Sequence, residues 1–340
     1  MDKANQALLE ISKEVLLLLF EKGLIPRKLK IAFDFHKDLY YGEKDNPYVI
    51  GIKPEKGTKK AHIYHTCSII LKGREIQIGS EMLKKGEKAG VFVQKMVEFL
   101  ESLGFIIELT AMDKDYYQKW IFKYLDKKDI TYIVPVRESD TLRGMKEAAL
   151  KDPKDRVQTY EMKDDYMKGR GYPLIEFKTA FYGKKGINFG KLRAQYNNGT
   201  KDLKEILSDI FVLATNGLIQ PPSGNRKYKF YKTRKEYGGR WRIEISYREG
   251  NPFIMYSTSA DPNVRNFYFI ISLLLYNFWI IANLFLHKKK YWLAKEPKAY
   301  FKEDFKIVLL RAFEYFVNTD PPISKFCRTK ELIGKGCIII

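Results

Sequence analysis

Cysteine is scarce in this chain, with three residues in 340: Cys67, Cys327 and Cys337. They are too few and too scattered for a disulfide framework or a thiolate zinc site, and a reducing, intracellular setting fits best. Histidine is almost as rare, and the one suggestive cluster, His62-Ile-Tyr-His65-Thr-Cys67, argues against zinc. On a strand, positions 62 and 65 point to opposite faces. Polar tracts of low hydrophobicity are absent, which excludes disorder as the main state. No internal repeat is present. No secretory leader is visible either, because the apolar run Val15–Phe20 is short and follows acidic residues. Acids are the remaining shortage: 41 Asp+Glu face 61 Lys+Arg, a formal net charge of +20 and a sequence pI near 9.5. Such an excess favours a polyanionic partner, nucleic acid first and an anionic membrane surface second.

What is there describes a folded chain, with 45% hydrophobic, 14% aromatic and 30% charged residues. That is enough for one large domain or two ordinary ones. Phe267–Leu286 is apolar over roughly the length of a bilayer span. Three polar interruptions, Ser272, Asn277 and Asn283, tell against a lipid-facing helix and favour a buried core helix. No membrane partner is expected.

Periodicity divides the chain into five parts. Residues 1–28 carry an amphipathic helix stopped at Gly23. Residues 29–137 read as a first core part: strand Leu29–Phe35, a loop from Tyr41 to Lys60, a hairpin of Ala61–Leu71 and Arg74–Gly79 around Lys72-Gly73, helix Glu87–Leu103, strand Phe105–Thr110, helix Tyr116–Leu125 and strand Thr131–Val136. Residues 138–236 alternate short β-like runs (Arg156–Met162, Leu174–Phe181 and Asp209–Thr215) with Lys- and Gly-rich loops, and read as a β-rich insertion standing apart from the core sheet. Residues 237–320 return to helical spacing, with helices from Tyr237, over 265–287 and near Phe305–Val317. Residues 321–340 form a tail.

Three acids stand out by position. Asp34 interrupts the first strand, where a carboxylate is costly unless paired or bound to metal. Asp113 follows the strand Phe105–Thr110 at its carboxyl end, the edge where open α/β sheets place their sites. Glu244 lies in the helix after the insertion. Two aspartates on neighbouring strands and a helical glutamate supply oxygen ligands for two hard divalent cations, the arrangement used for in-line phosphoryl transfer. Tyr237, Arg240, Trp241, Glu244, Tyr247 and Arg248 recur at helical spacing on one face, which suits a cleft pairing an acid with phosphate-binding guanidinium groups. Just before them, Arg226, Lys227, Lys229, Lys232, Arg234 and Lys235 interleave with Tyr228, Phe230 and Tyr231, a pattern for phosphate contact and base stacking or, equally, for a solvated strand.

These residues resemble a family. Tyr237, Arg240 and Glu244 match the first three letters of the Y-(2)-R-(3)-E-(6)-K signature of DDE transposases of bacterial and archaeal insertion sequences, the mark of the insertion-sequence family-four superfamily. The fourth letter falls on Asn251. Ile31-Ala-Phe-Asp34-Phe-His-Lys-Asp-Leu-Tyr40-Tyr41-Gly42 is similar to the first-aspartate motif, and Leu109-Thr-Ala-Met-Asp113-Lys-Asp-Tyr116-Tyr117 to the second. Ser257-Thr258-Ser259 and Tyr276-Asn277-Phe278-Trp279 also resemble that family, particularly its archaeal members. The likeness spans roughly 29–290.

The resemblance implies an α/β, ribonuclease H-like mixed sheet with flanking helices and a β-rich insertion before the catalytic glutamate helix. It implies metal-dependent DNA strand cleavage and strand transfer, with Asp34 bridging two Mg²⁺ (or Mn²⁺) ions and Asp113 and Glu244 each completing one. The expected partner is double-stranded DNA, both element ends and target, bound by a homodimer in a cytoplasmic, nucleoid-associated setting. Tyr237, Arg240, Trp241, Arg248 and the run Arg226–Lys235 are the expected DNA contacts. A related nuclease that only hydrolyses DNA, and a non-catalytic DNA-binding derivative, share the same basic surface.

Overall fold

The computed structural model describes residues 2–43, 45–71, 74–162, 175–184, 186–217, 232–240, 253, 257–286, 305 and 307. Helix α1 (Asp2–Glu21) closes on Gly23, whose φ of 66° lets Gly23 and Leu24 donate back to Phe20 and Leu19. This is the left-handed helix stop that glycine provides.

Four strands follow: β1 (Lys28–Leu39), β2 (Ile50–Glu55), β3 (Thr58–Ile70) and β4 (Glu75–Met82). The expected loop from Tyr41 to Lys60 therefore contains a strand. Lys56 and Gly57 both take positive φ, 45° and 85°, and turn the chain so that Glu55 pairs with Thr58. Two left-handed residues make the tight hairpin turn that matches strand twist, and Lys-Gly is a weaker sequence signal for it than Asn-Gly. Helix α2 (Ala89–Ser102), β5 (Ile106–Met112), a single 3-10 turn (Lys114–Tyr116), α3 (Lys119–Lys127) and β6 (Thr131–Pro135) complete the first part. The helix expected from Tyr116 thus starts three residues late, because Asp113 caps the 3-10 turn by accepting from the Lys114 amide.

The chain then departs from the expected β-rich insertion. Helix α4 (Asp140–Lys151), β7 (Val157–Met162), β8 (Ile175–Gly183), α5 (Phe189–Asn197), α6 (Leu203–Ser208) and β9 (Ile210–Thr215) mix both structures. The strands do not stand apart. β9 pairs antiparallel with β6, β8 with β9 and β7 with β8, so all the strands form one sheet in the order β2-β3-β1-β5-β6-β9-β8-β7, with β4 also pairing β3. The physical reason is the open edge of β6, whose backbone groups need partners that β9 supplies. Leu142, Leu150, Leu192, Ile206 and Leu207 of the three helices bury against Phe181 and Val212, forming their own cluster over this half of the sheet.

Along β1 the alternation of a strand separates two environments. Leu29, Ile31 and Phe33 enter the main core with Phe92 and Val93 of α2 and Ile121 and Phe122 of α3. Ala32, with Ala111 of β5, faces the other side, as Asp34 does one step further along. That second face is crossed by α7 (232–240). Helix α8 (Pro262–Leu286) is long and apolar enough to cross a membrane by length and composition. In the fold it buries Leu274, Tyr276, Trp279 and Ile280 together with Ser272, Asn277 and Asn283. The last expected helix, near Phe305–Val317, lies outside the described residues except at Phe305 and Ile307.

Candidate functional site

β1 and β5 run parallel in a register that places Phe33 opposite Met112. The next pair along the ladder is Asp34 and Asp113, and the Asp113 amide donates to the Phe33 carbonyl at 3.2 Å. Residues opposite one another in a parallel pair share a face, so the two aspartates lie side by side where β5 ends against the middle of β1. Asp34 is buried, 5% exposed, whereas Asp113 is half-buried at the sheet edge. The Asp34 backbone is fixed by two neighbouring side chains. Its carbonyl accepts from the Tyr116 hydroxyl and from Thr66 Oγ1, both at 3.2 Å. Sequence reasoning gave neither residue a role, although Tyr116 stands three places after Asp113 on the turn that Asp113 itself caps.

Helix α7 brings the rest. Residues 232–240 are helical, so Lys232, Arg234 and Lys235 belong to a helix and not to a strand, and the expected division after residue 236 falls inside it. The helix spans the sheet. Arg234 donates to the Gly183 carbonyl at 2.7 Å and lies over the Tyr182 and Phe211 rings at 5.3 and 5.8 Å. Tyr237 packs on Phe211, ring centroids 5.6 Å apart. Glu236 pairs with Lys30 at 2.8 Å, and Arg240 reaches Asp34. Strands β8 and β9 thus seat Arg234 and Tyr237 of this helix. Arg234, expected among the DNA contacts, makes these contacts within the fold.

Two contacts of Arg240 define the site. Its Nη1 donates to Asp34 Oδ1 at 3.0 Å and its Nε to the Tyr237 hydroxyl at 3.1 Å, with the guanidinium carbon 5.4 Å from the Tyr237 ring centre. The side chains of the pair are only 10% and 7% exposed. Burial pushes the Tyr237 phenol up to about 12; the adjacent Arg240 charge opposes the rise, while Asp113 and Asp34 add to it. Tyr237 therefore senses both aspartates, and four residues that the sequence motifs singled out meet in one place.

The other expected site residues are distributed differently. Lys232 and Lys235 lie on α7 without a short-range role that defines the site. Trp241, Glu244, Tyr247, Arg248, Arg226, Lys227, Lys229 and Asn251 lie outside the described residues. Among the described residues no three His, Cys, Asp or Glu side chains are grouped closely enough to hold a metal ion. His62 and His65 are both buried in β3, with their Nδ1 atoms toward the Tyr48 carbonyl and the Tyr116 hydroxyl. Ser259 of the Ser257-Thr258-Ser259 segment accepts from Arg265 Nε at 2.6 Å, and Arg265 also pairs with Asp38 at 2.8 Å, which ties the start of α8 to the end of β1.

The fold is similar to that of a transposase. Over 88% of this chain it superposes on 56% of the protein in the cryo-EM structure of a piggyBac transposase synaptic complex with hairpin DNA, with a TM-score of 0.53 and 12% sequence identity. The chain thus spans a little over half the length of that protein. No protein-family model matches the sequence, and no curated protein matches it significantly in sequence.

Proposed function

We propose that this chain is a DDE-type transposase that cleaves DNA and transfers strands at the ends of an insertion sequence. The observation that carries the reading is the convergence of Asp34, Asp113, Tyr237 and Arg240, drawn from two neighbouring strands and a helix more than 200 residues away in sequence. The transposase-like fold supports it. The mixed order β4-β3-β1-β5-β6, three antiparallel strands and then two parallel to the first, supports a ribonuclease H-like core. The piggyBac complex contains DNA, and the +20 charge of this chain agrees with a DNA partner.

The donor set fits a hard divalent cation: two adjacent carboxylates, one so buried that a guanidinium already compensates its charge. Asp34 and Asp113, with Glu244, would hold two Mg²⁺ or Mn²⁺ ions. Bound there, such ions activate the attacking oxygen and stabilise the leaving one. The chain itself orients and neutralises. Tyr116 and Thr66 fix the Asp34 backbone, while Arg240 and Tyr237 present a cation and a neutral phenol beside the aspartates. The protein would act in the cytoplasm, associated with the nucleoid, as a homodimer on DNA. The test is a Mg²⁺-dependent strand-transfer assay on the DNA flanking the gene. Joined products from the wild type, and none from Asp34→Asn or Asp113→Asn, are expected. Joined products from either variant would remove the assignment.

A further inference from the structure

We infer that Arg240 is a resident stand-in cation at Asp34, and that a divalent ion gains full access to that carboxylate only when a DNA phosphate draws the guanidinium away. The inference rests on the metal-site reading above and adds an order to it: DNA first, metal second.

The geometry leads there directly. Asp34 sits on a covered face of the sheet, beside Asp113, with the α7 helix above it. Two carboxylates in a poorly solvated place repel one another and need positive charge nearby. Arg240 supplies it, with Nη1 3.0 Å from Asp34 Oδ1. A metal ion taking the same oxygen would lie next to a like charge, so guanidinium and metal compete for Asp34. The competition is not with a loosely held side chain. Arg240 is 8% exposed and is anchored a second time by the Tyr237 hydroxyl.

The replacement partner follows from guanidinium chemistry. A planar fork of N–H donors that fits a carboxylate also fits a phosphate, and the phosphate diester is the abundant anion of the proposed substrate. A phosphate that engages Arg240 relieves the occupancy of Asp34 and raises its affinity for metal. By linkage, metal raises the affinity for that phosphate by the same factor. Tyr237, whose hydroxyl accepts from Arg240 and whose ring lies beside it, would guide the side chain between its two positions. Arg240 is in this sense a positioning residue for the metal, whatever direct grip it also takes on the scissile strand. The device keeps the site from loading metal in the absence of DNA.

The experiment measures binding, with Mn²⁺ itself as the probe. Mn²⁺ is titrated into the wild type, Arg240→Gln, Arg240→Lys and Asp34→Asn, read by electron paramagnetic resonance of free Mn²⁺. The wild type is then titrated with a short DNA duplex present, using the same mixture with Asp34→Asn as the blank. Arg240→Gln should bind Mn²⁺ at least tenfold more tightly than the wild type without DNA, with Arg240→Lys in between. DNA should tighten Mn²⁺ binding to the wild type at least fivefold and leave Arg240→Gln nearly unchanged, in the range of ordinary coupling between sites. Should Arg240→Gln fail to fold, Arg240→Lys and the wild-type titration with and without DNA still decide the matter. Equal Mn²⁺ affinity in wild type and Arg240 variants, with no gain from DNA, overturns the stand-in role alone. Absence of any Asp34-dependent Mn²⁺ binding, with DNA or without, overturns the metal site as well.

Discussion

Asn277 serves Gln77 as a neighbouring strand would: its Oδ1 accepts from the Gln77 amide at 2.9 Å and its Nδ2 donates to the Gln77 carbonyl at 2.6 Å. One side chain of an apolar helix thereby closes the free edge of β4. Tyr276, the residue before it, donates to Glu75 on the same strand at 2.9 Å. This explains why a polar residue sits mid-way along α8, and it gives a first prediction. Asn277→Leu makes the helix more apolar, yet it strands two buried backbone groups. Unsatisfied buried groups cost about 1–3 kcal/mol each. Urea denaturation should show a loss of about 3 kcal/mol; a variant as stable as the wild type would mean that α8 is not docked on β4.

Chemistry and affinity should separate at the carboxylates. On the proposed assignment of Glu244 to the metal site, Glu244→Gln keeps shape and removes a charge, so it should abolish Mg²⁺-dependent cleavage while DNA affinity stays unchanged or rises slightly. The binding curves, measured across a salt series, should weaken steeply with salt for wild type and variant alike. Normal cleavage by Glu244→Gln would show that the third carboxylate is another residue.

The basic run should divide into two kinds of residue. Arg234→Met removes the hydrogen bond to Gly183 and the cation–π contacts with Tyr182 and Phe211, and should lower stability by about 1–2 kcal/mol. It should leave the salt slope of DNA binding as it is. Lys232→Ala and Lys235→Ala should do the reverse, each lowering that slope by about 0.9 if its ammonium meets a phosphate. A changed slope for Arg234→Met with unchanged stability would place its guanidinium on DNA.

Acid should weaken the fold through His65. Burial pushes this imidazole down to about 4, and its Nε2 has no hydrogen-bond partner among the described residues. The unfolded chain takes up the proton first, near its ordinary 6.5. The contribution of the neutral ring is therefore complete above that pH and is lost as pH falls from about 6.5 to 4, amounting to roughly 3 kcal/mol. Unfolding free energies measured at pH 7.5 and pH 4.5 should differ less in His65→Phe than in the wild type. An identical difference would show that His65 is charged in the fold.

The parts legible in sequence are those where the backbone period and the chemistry agree. Asp34 was readable because a carboxylate in a run such as Ile31-Ala-Phe demands an explanation, and Asp113 because it ends the next parallel strand. Helices α1, α2 and α8 follow from apolar spacing. The strands β7 to β9 were located almost to the residue, but their partner was not. Pairing depends on which edge is open, and β6 reveals nothing of its edge in its own five residues. Helices α4, α5 and α6 were missed for a related reason. Each buries only two or three apolar side chains, and only the sheet beneath makes them a face. The seat of Arg234 on Gly183, Tyr182 and Phe211 is not legible in sequence, because a basic side chain among aromatics suits a protein seat as well as a nucleic acid.

The 206-residue separation between Asp34 and Arg240 also orders events during synthesis. β1, β3, β4 and β5 are all complete by residue 112, and the strands of a domain form as units while the ribosome is still adding residues. At that stage Asp34 is already committed to a sheet face, without the helix that compensates it. The nascent chain therefore carries Asp34 without its Arg240 partner until residue 240 has emerged. Fragments ending before α7 would inherit that cost, and the pairing of Asp34 with Arg240 becomes possible only after all nine strands have been made.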